Sequence, residues 1–268
     1  MARLQDALRG SDDGAVTKQL QLLSSDPNMA ALAIKTDGFI ELILSGLQPL
    51  VHSATRRNAC LRALGSTLAA MLTPVDASSA DVLLKDDQSA KRFGMLSADA
   101  ELLTRLYEHV RQADETEPNL RKNAWRALMF LASAITHGTR HLAVALTTSE
   151  WIEAMVGCVD SAEAEAQYAS GVLWHVSKAQ HGRRHAIVEA AGQLPAQLAA
   201  SCASTPQRAT SKYCVRALTH LLGGMSKEAV SALPLEQSAA QLRQSHPKLA
   251  GEVDALLAAA RSVCDGST

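Results

Sequence analysis

Aromatic side chains are scarce: three Phe, three Tyr and three Trp make up 3% of the 268 residues. Ala and Leu recur instead, and because they lose little side-chain freedom in a helix, the bias points to an all-α protein. Long hydrophobic runs are missing too. No apolar stretch approaches the roughly 20 residues of a membrane helix, so no membrane partner is expected. The opening MARLQDALRGSDDG has no hydrophobic signal core, and its three acidic residues count against an Arg-rich transit peptide. A soluble, cytoplasmic protein is expected, with cytoskeletal association as one setting. No sign of charge dominates. A net charge of −1 and an isoelectric point near 6.8 supply no overall basic field, which disfavours nucleic acid and leaves charge-led binding to a local patch.

Signatures of chemistry are equally sparse. The five cysteines, Cys60, Cys158, Cys202, Cys214 and Cys264, form an odd set without a CxxC pair. Neither a disulfide framework nor a zinc cluster is indicated, and the first four read as small core residues in a reducing compartment. GxGxxG, GxxxxGK[ST], GxSxG, HExxH and DxDxDG are all absent, so no nucleotide loop or common hydrolase, zinc-protease or calcium signature is available. No enzyme, cofactor or metal is expected. Two His-x3-His pairs, His137/His141 in HGTRH and His181/His185 in HGRRH, have the spacing of metal ligands. Gly138 and Gly182 break the helix between them, so they read as solvated turns.

What the chain does contain is a repeated helix. The stretch Leu120 to Ile135, LRKNAWRALMFLASAI, places Ala124, Ala127, Leu128, Leu131 and Ile135 on one face. Lys122, Arg126, Met129 and Ser133 fall on the other. Similar stretches run from Arg56 to Leu72, Ala166 to Lys178 and Thr210 to Leu222, with a shorter one from Ala15 to Ser25. Aligned on Lys18, Arg62, Arg126, Gly171 and Arg216, the copies are 44, 64, 45 and 45 residues apart. Three of these steps lie within the roughly 40–47 residues typical of armadillo and HEAT repeats. Between copies come a short helix ending near Gly or Ser/Thr, as in SDPNMAALAIKTDG and HGRRHAIVEAAG, and a second apolar helix beginning near Phe39, Glu150 or Gln193.

The chain resembles the armadillo repeat family. SSDPNMAALAIKTDG looks like the family's turn and first helix, and NAWRALMFLAS and QYASGVLWHVS look like its third. The resemblance implies an all-α, right-handed α-solenoid of about five repeats in a single domain over 1–268. The repeat helices occupy about 14–224, and a capping repeat occupies about 225–264. The 64-residue step implies an insertion, placed at about 73–94 and read as a loop with a short helix at Val82 to Lys85.

The resemblance also implies a concave groove lined by the third helices. Its tryptophan-type position falls on Lys18, Arg62, Arg126, Gly171 and Arg216. Its asparagine-type position falls on Leu22, Ser66, Phe130, His175 and His220. The Trp and Asn of the nuclear-import adaptors are not retained, so a basic cargo would meet the wrong charge. With Lys122 and Lys212 one turn earlier, the candidate partner-binding residues are Lys18, Arg62, Lys122, Arg126, His175, Lys212, Arg216 and His220. Arginine can hold carboxylate or phosphate through two parallel hydrogen bonds. An acidic or phosphorylated protein segment is the expected partner, and the acidic loop itself, through Asp81, Asp86 and Asp87, is an internal alternative. Trp125, Tyr168, Trp174 and Tyr213 read as packing between repeats. The alternative to a scaffold is a structural subunit of a larger complex, cytoskeletal, axonemal or ribonucleoprotein.

Overall fold

The computed structural model describes residues 12–34, 36, 38–48, 51–74, 82–111, 119–133, 135, 140–159, 164–179 and 184–266. Its contacts divide the chain into two compact units, 1–141 and 142–268, where the sequence reading expects one domain. Several helices start at a capping side chain. In the first unit, α1 (Asp13–Ser25) begins after Asp12, whose carboxylate accepts the Gly14 amide at 2.9 Å. Asp26 caps α2 (Pro27–Ile34) by accepting the Asn28 amide at 2.8 Å, with Pro27 in a first-turn place where its missing N–H costs nothing. Gly38 then turns the chain with φ 81°, a left-handed conformation that other residues resist, into α3 (Phe39–Gly46). Ser53 caps α4 (Ala54–Ala70).

The insertion differs from its expected form. Val82–Leu84 is a strand, β2, paired antiparallel with β1 (Leu72–Pro74) in the register Leu72↔Leu84. Three apolar residues cannot offset the cost of nucleating a helix, whereas the strand beside them supplies ladder partners, extended by Lys85 donating to the Met71 carbonyl at 3.0 Å. Asp87 to Gly94, expected as loop, belongs to helix α5 (Asp87–Ala98). Asp86 caps it by accepting the Ser89 amide at 2.7 Å, so this carboxylate holds a helix start. Asp81 lies outside the described residues. The repeat continues with α6 (Ala100–Arg111) and α7 (Asn119–Ser133).

The long helix α4 packs between α1 and α7. Leu61, Leu64 and Leu68 of α4, Leu20 of α1 and Leu128 and Leu131 of α7 are all buried, each contributing about 1.5–3 kcal/mol. The outward face of α7 is narrower than expected: Met129 and Ser133 are buried, leaving Lys122, Arg126 and Phe130 half-exposed. Behind this layer, Gly46 lies so close to α4 that an added Cβ would overlap Cys60 Sγ. The second helices of successive repeats are bridged by the fully buried His109, whose Nε2 donates to the Leu47 carbonyl at 3.2 Å.

The second unit repeats the plan. It contains α8 (Arg140–Ala145), shared with the unit boundary, then α9 (Ser149–Val159) and α10 (Ala164–Ala179). Then come α11 (Arg184–Ala190), α12 (Leu194–Ser204) and α13 (Arg208–Leu222). The capping segment is a complete third set: α14 (Lys227–Ser231), α15 (Leu235–Ser245) and α16 (Ala250–Asp265). α13 packs between α10 and α16 through buried Val172, Val176, Val215, Leu218, Leu221, Val253 and Leu256. His246, after α15, donates to the Thr205 carbonyl at the end of α12 at 3.1 Å, a counterpart of the His109 bridge. Cys60, Cys158, Cys202 and Cys214 are buried, and burial pushes the Cys202 thiol up to about 12. Among the described residues no helix is long and apolar enough to cross a membrane.

Gly46→Ala should lower stability by about 1–3 kcal/mol in urea denaturation, because the α3–α4 contact cannot admit a methyl group. Adding Cys60→Ala should recover part of that loss. Burial holds the His109 imidazole below its ordinary value of 6.5. Below that pH the unfolded chain takes up a proton that the folded chain refuses. Stability should therefore fall as pH drops from neutral toward the depressed folded value, by at most about 1.4 kcal/mol per pH unit. His109→Gln, which keeps a donor for Leu47 and cannot titrate, should flatten the fall in melting temperature.

Candidate functional site

The apolar sharing just described decides which side chains of the third helices face away from the core. In the second unit, α13 carries Arg208, Lys212, Arg216 and His220 at four-residue intervals, which aligns them along one side of the helix. Arg208 is exposed and the other three are half-buried. Arg216 is held on two sides. Its Nη2 donates to Glu252 Oε1 of α16 at 3.0 Å, and its guanidinium carbon lies 5.1 Å from the centroid of the Trp174 ring on α10. Trp174 is 4% exposed and is packed by the Tyr213 ring at 5.7 Å, with Lys178 Nζ also 5.7 Å from its centroid. The tryptophan therefore forms the floor under Arg216 and lies within the packing of α10 on α13.

Burial, with crowding of positive charge behind it, shows in the titration of Lys212. Its ammonium is pushed below the usual lysine range, chiefly by desolvation, then by Arg216 and Arg208 against the opposing pull of Glu252. Burial raises the Tyr213 phenol. Among the described residues, Glu252 is the carboxylate in contact with Arg208, Lys212 or Arg216. An additional oxyanion over this stripe would relieve the repulsion among its cations.

The first unit offers a thinner version. Lys18 of α1 and Arg62 of α4 are exposed, and Lys122 and Arg126 of α7 are half-buried, Arg126 lying 5.6 Å from the Phe130 centroid. Beneath them Asn123 Nδ2 donates to Asn58 Oδ1 at 2.7 Å, joining α7 to α4. Arg126 and Ala127 approach Gly65 of α4, whose added Cβ would sit 3.8 Å from both.

Two expectations are corrected. His175, assigned to the partner surface, is 5% exposed and lies against the neighbouring Trp174 ring, with centroids 4.3 Å apart and planes tilted by 40°. Gly171, the tryptophan-type position of the same helix, is buried. Of the two His-x3-His pairs, His141 and His185 are among the described residues. His141 lies 3.5 Å from Ser97 Oγ, and His185 donates to the Gly224 carbonyl at 3.0 Å and pairs with Glu189 at 3.1 Å. His137 and His181 lie outside the described residues, among which no group of three metal-ligating side chains occurs. Two contributors escape the sequence reading. Arg208 was detectable, since it precedes Lys212 by the same four residues that separate Lys212 from Arg216. Glu252 carried no local signal, being 36 residues from its partner.

Three-helix sets with stacked third helices are also what structural comparison returns. A designed armadillo repeat protein aligns over 96% of this chain and 98% of its own with a TM-score of 0.71 at 17% identity. The chain has an armadillo-like repeat fold. Computationally designed armadillo repeat proteins for modular peptide recognition align over 96% of this chain and 98% of theirs, with TM-score 0.68 and 16% identity. A third designed armadillo repeat protein, in complex with the peptide (KR)4, aligns over 96% and 98% with TM-score 0.66 and 14% identity. No protein-family model and no curated protein matches the sequence.

Trp174→Ala should destabilise the second unit by about 3–5 kcal/mol in thermal or urea unfolding, since it empties the space between α10 and α13. Trp174→Phe, which keeps a ring under Arg216, should cost less than half as much.

Proposed function

We propose that this armadillo-like chain is a non-enzymatic interaction module that holds an acidic or phosphorylated segment of a partner protein on the outward faces of its third helices. The observation that carries the reading is the α13 stripe, in which Arg208, Lys212 and Arg216 lie on one side and Glu252 pairs with Arg216. Like charges a helical turn apart repel, so such a stripe gains when an anion arrives. The Trp174 floor restricts the Arg216 side chain and lowers the entropy lost when its fork engages two oxygens. Lys18, Arg62, Lys122 and Arg126 give the first unit a cationic face of the same sign.

The solved structures with this fold include proteins designed for peptide recognition, which supports a peptide as the ligand class. The one in complex with (KR)4 holds a basic peptide. Here the cations belong to the protein, so the complementary ligand carries the opposite charge. The structural-subunit alternative rests on exposed apolar surface. Among the described residues the exposed large apolar side chains are few, Leu22, Met29, Leu32, Val51, Met95 and Val144, which gives it less support. A cytoplasmic scaffold is the setting in which such a module fits.

Simultaneous Arg62→Ala, Arg126→Ala and Arg216→Ala should weaken binding of a glutamate-rich or phosphoserine peptide by roughly tenfold and reduce its salt dependence. Circular dichroism should report unchanged helical content. Binding retained at full strength by the triple variant would contradict the proposal.

A further inference from the structure

The same contact that orients Arg216 also occupies it. Glu252 Oε1 accepts from Arg216 Nη2 at 3.0 Å, and the two side chains retain 21% and 22% exposure, so the pair sits at the rim where a ligand can reach it. Glu252 comes from the first turn of α16, the long helix of the C-terminal repeat. Its carboxylate therefore has a second favourable setting, because the dipole at the start of a 16-residue helix stabilises an anion in the first turn without help from Arg216. Arg216 is likewise supported when the carboxylate leaves, since the Trp174 ring continues to hold its face at 5.1 Å.

We infer that Glu252 is an internal mimic of the ligand: its carboxylate fills the Arg216 position of the cationic stripe in the unbound protein, and an incoming carboxylate or phosphate displaces it. This rests on the acidic-segment reading above and adds its regulation. The C-terminal repeat thereby does more than close the apolar edge of α13, for it sets the threshold that a partner must exceed. Singly charged or poorly aligned acidic segments fail to displace Glu252. Segments that present oxygens to Arg216 and Lys212 together, or a phosphate with its greater charge, compete successfully.

The test is fluorescence anisotropy of the intact chain with a labelled hexaglutamate peptide and, separately, a phosphoserine peptide. Glu252→Gln keeps the side chain's size while removing its charge, and should bind about threefold to tenfold more tightly than wild type. Glu236→Gln, which removes one negative charge from exposed α15, controls for net charge and should change affinity less than twofold. The gain from Glu252→Gln should vanish in an Arg216→Ala background. Equal affinities for Glu252→Gln and Glu236→Gln, or a gain that survives without Arg216, would overturn the inference while leaving acidic-segment binding intact. Absence of binding by wild type and all variants would overturn the underlying reading as well. A larger gain with hexaglutamate than with phosphoserine identifies carboxylates as the ligand that Glu252 imitates, and the reverse identifies phosphate as the stronger competitor.

Discussion

The central long helix of each unit buries two flanks, one against the third helix before it and one against the third helix after it, and much of the remaining arrangement follows from that constraint. α4 between α1 and α7, and α13 between α10 and α16, are the central members. Their inward residues, among them Leu61, Leu64, Leu68, Leu218 and Leu221, have essentially no solvent contact. A helix with two buried flanks and a third side covered by its own repeat has only a narrow strip left for solvent. Arg62 on α4 and Arg208, Lys212 and Arg216 on α13 occupy that strip. Packing does not require them to be cationic, but it does require whatever occupies those positions to face outward together.

Such a row of like charges opposes folding slightly, and the structure contains its own partial remedies. Glu252 neutralises one member, and the Trp174 ring offers a quadrupole to the same guanidinium. Lys212, by contrast, is held below the usual lysine range by desolvation first and by Arg216 next. A surface that is incompletely compensated in the free chain is one on which a binding partner can supply stabilisation.

The helical repeat was legible because its information is local: the 3.6-residue period lies within short windows of sequence, and three of the steps between copies span 44–45 residues. The hairpin was not. Val82–Leu84 is apolar and short, and its strand character depends on Leu72–Pro74 some ten residues earlier. The outward positions were partly legible. Lys18, Arg62, Arg126, Lys212 and Arg216 could be assigned by phase along each helix, but phase alone placed Met129 and Ser133 outside, and both are buried. His175, placed outward by the resemblance, is buried as well. Glu252 belonged to a repeat whose sequence departs from the others, so no periodic signal pointed to it.

The account's central claim is that ligand anions engage the outward arginines of the third helices, and the arginine Nε–Hε signals in a two-dimensional NMR spectrum report on that directly. During titration with a glutamate-rich peptide, the signals of Arg216 and Arg208, and those of Arg62 and Arg126 in the first unit, should shift in proportion to occupancy and return when salt is raised. If those four signals stay in place while the peptide binds and other arginines move, the ligand is held elsewhere and the account is contradicted.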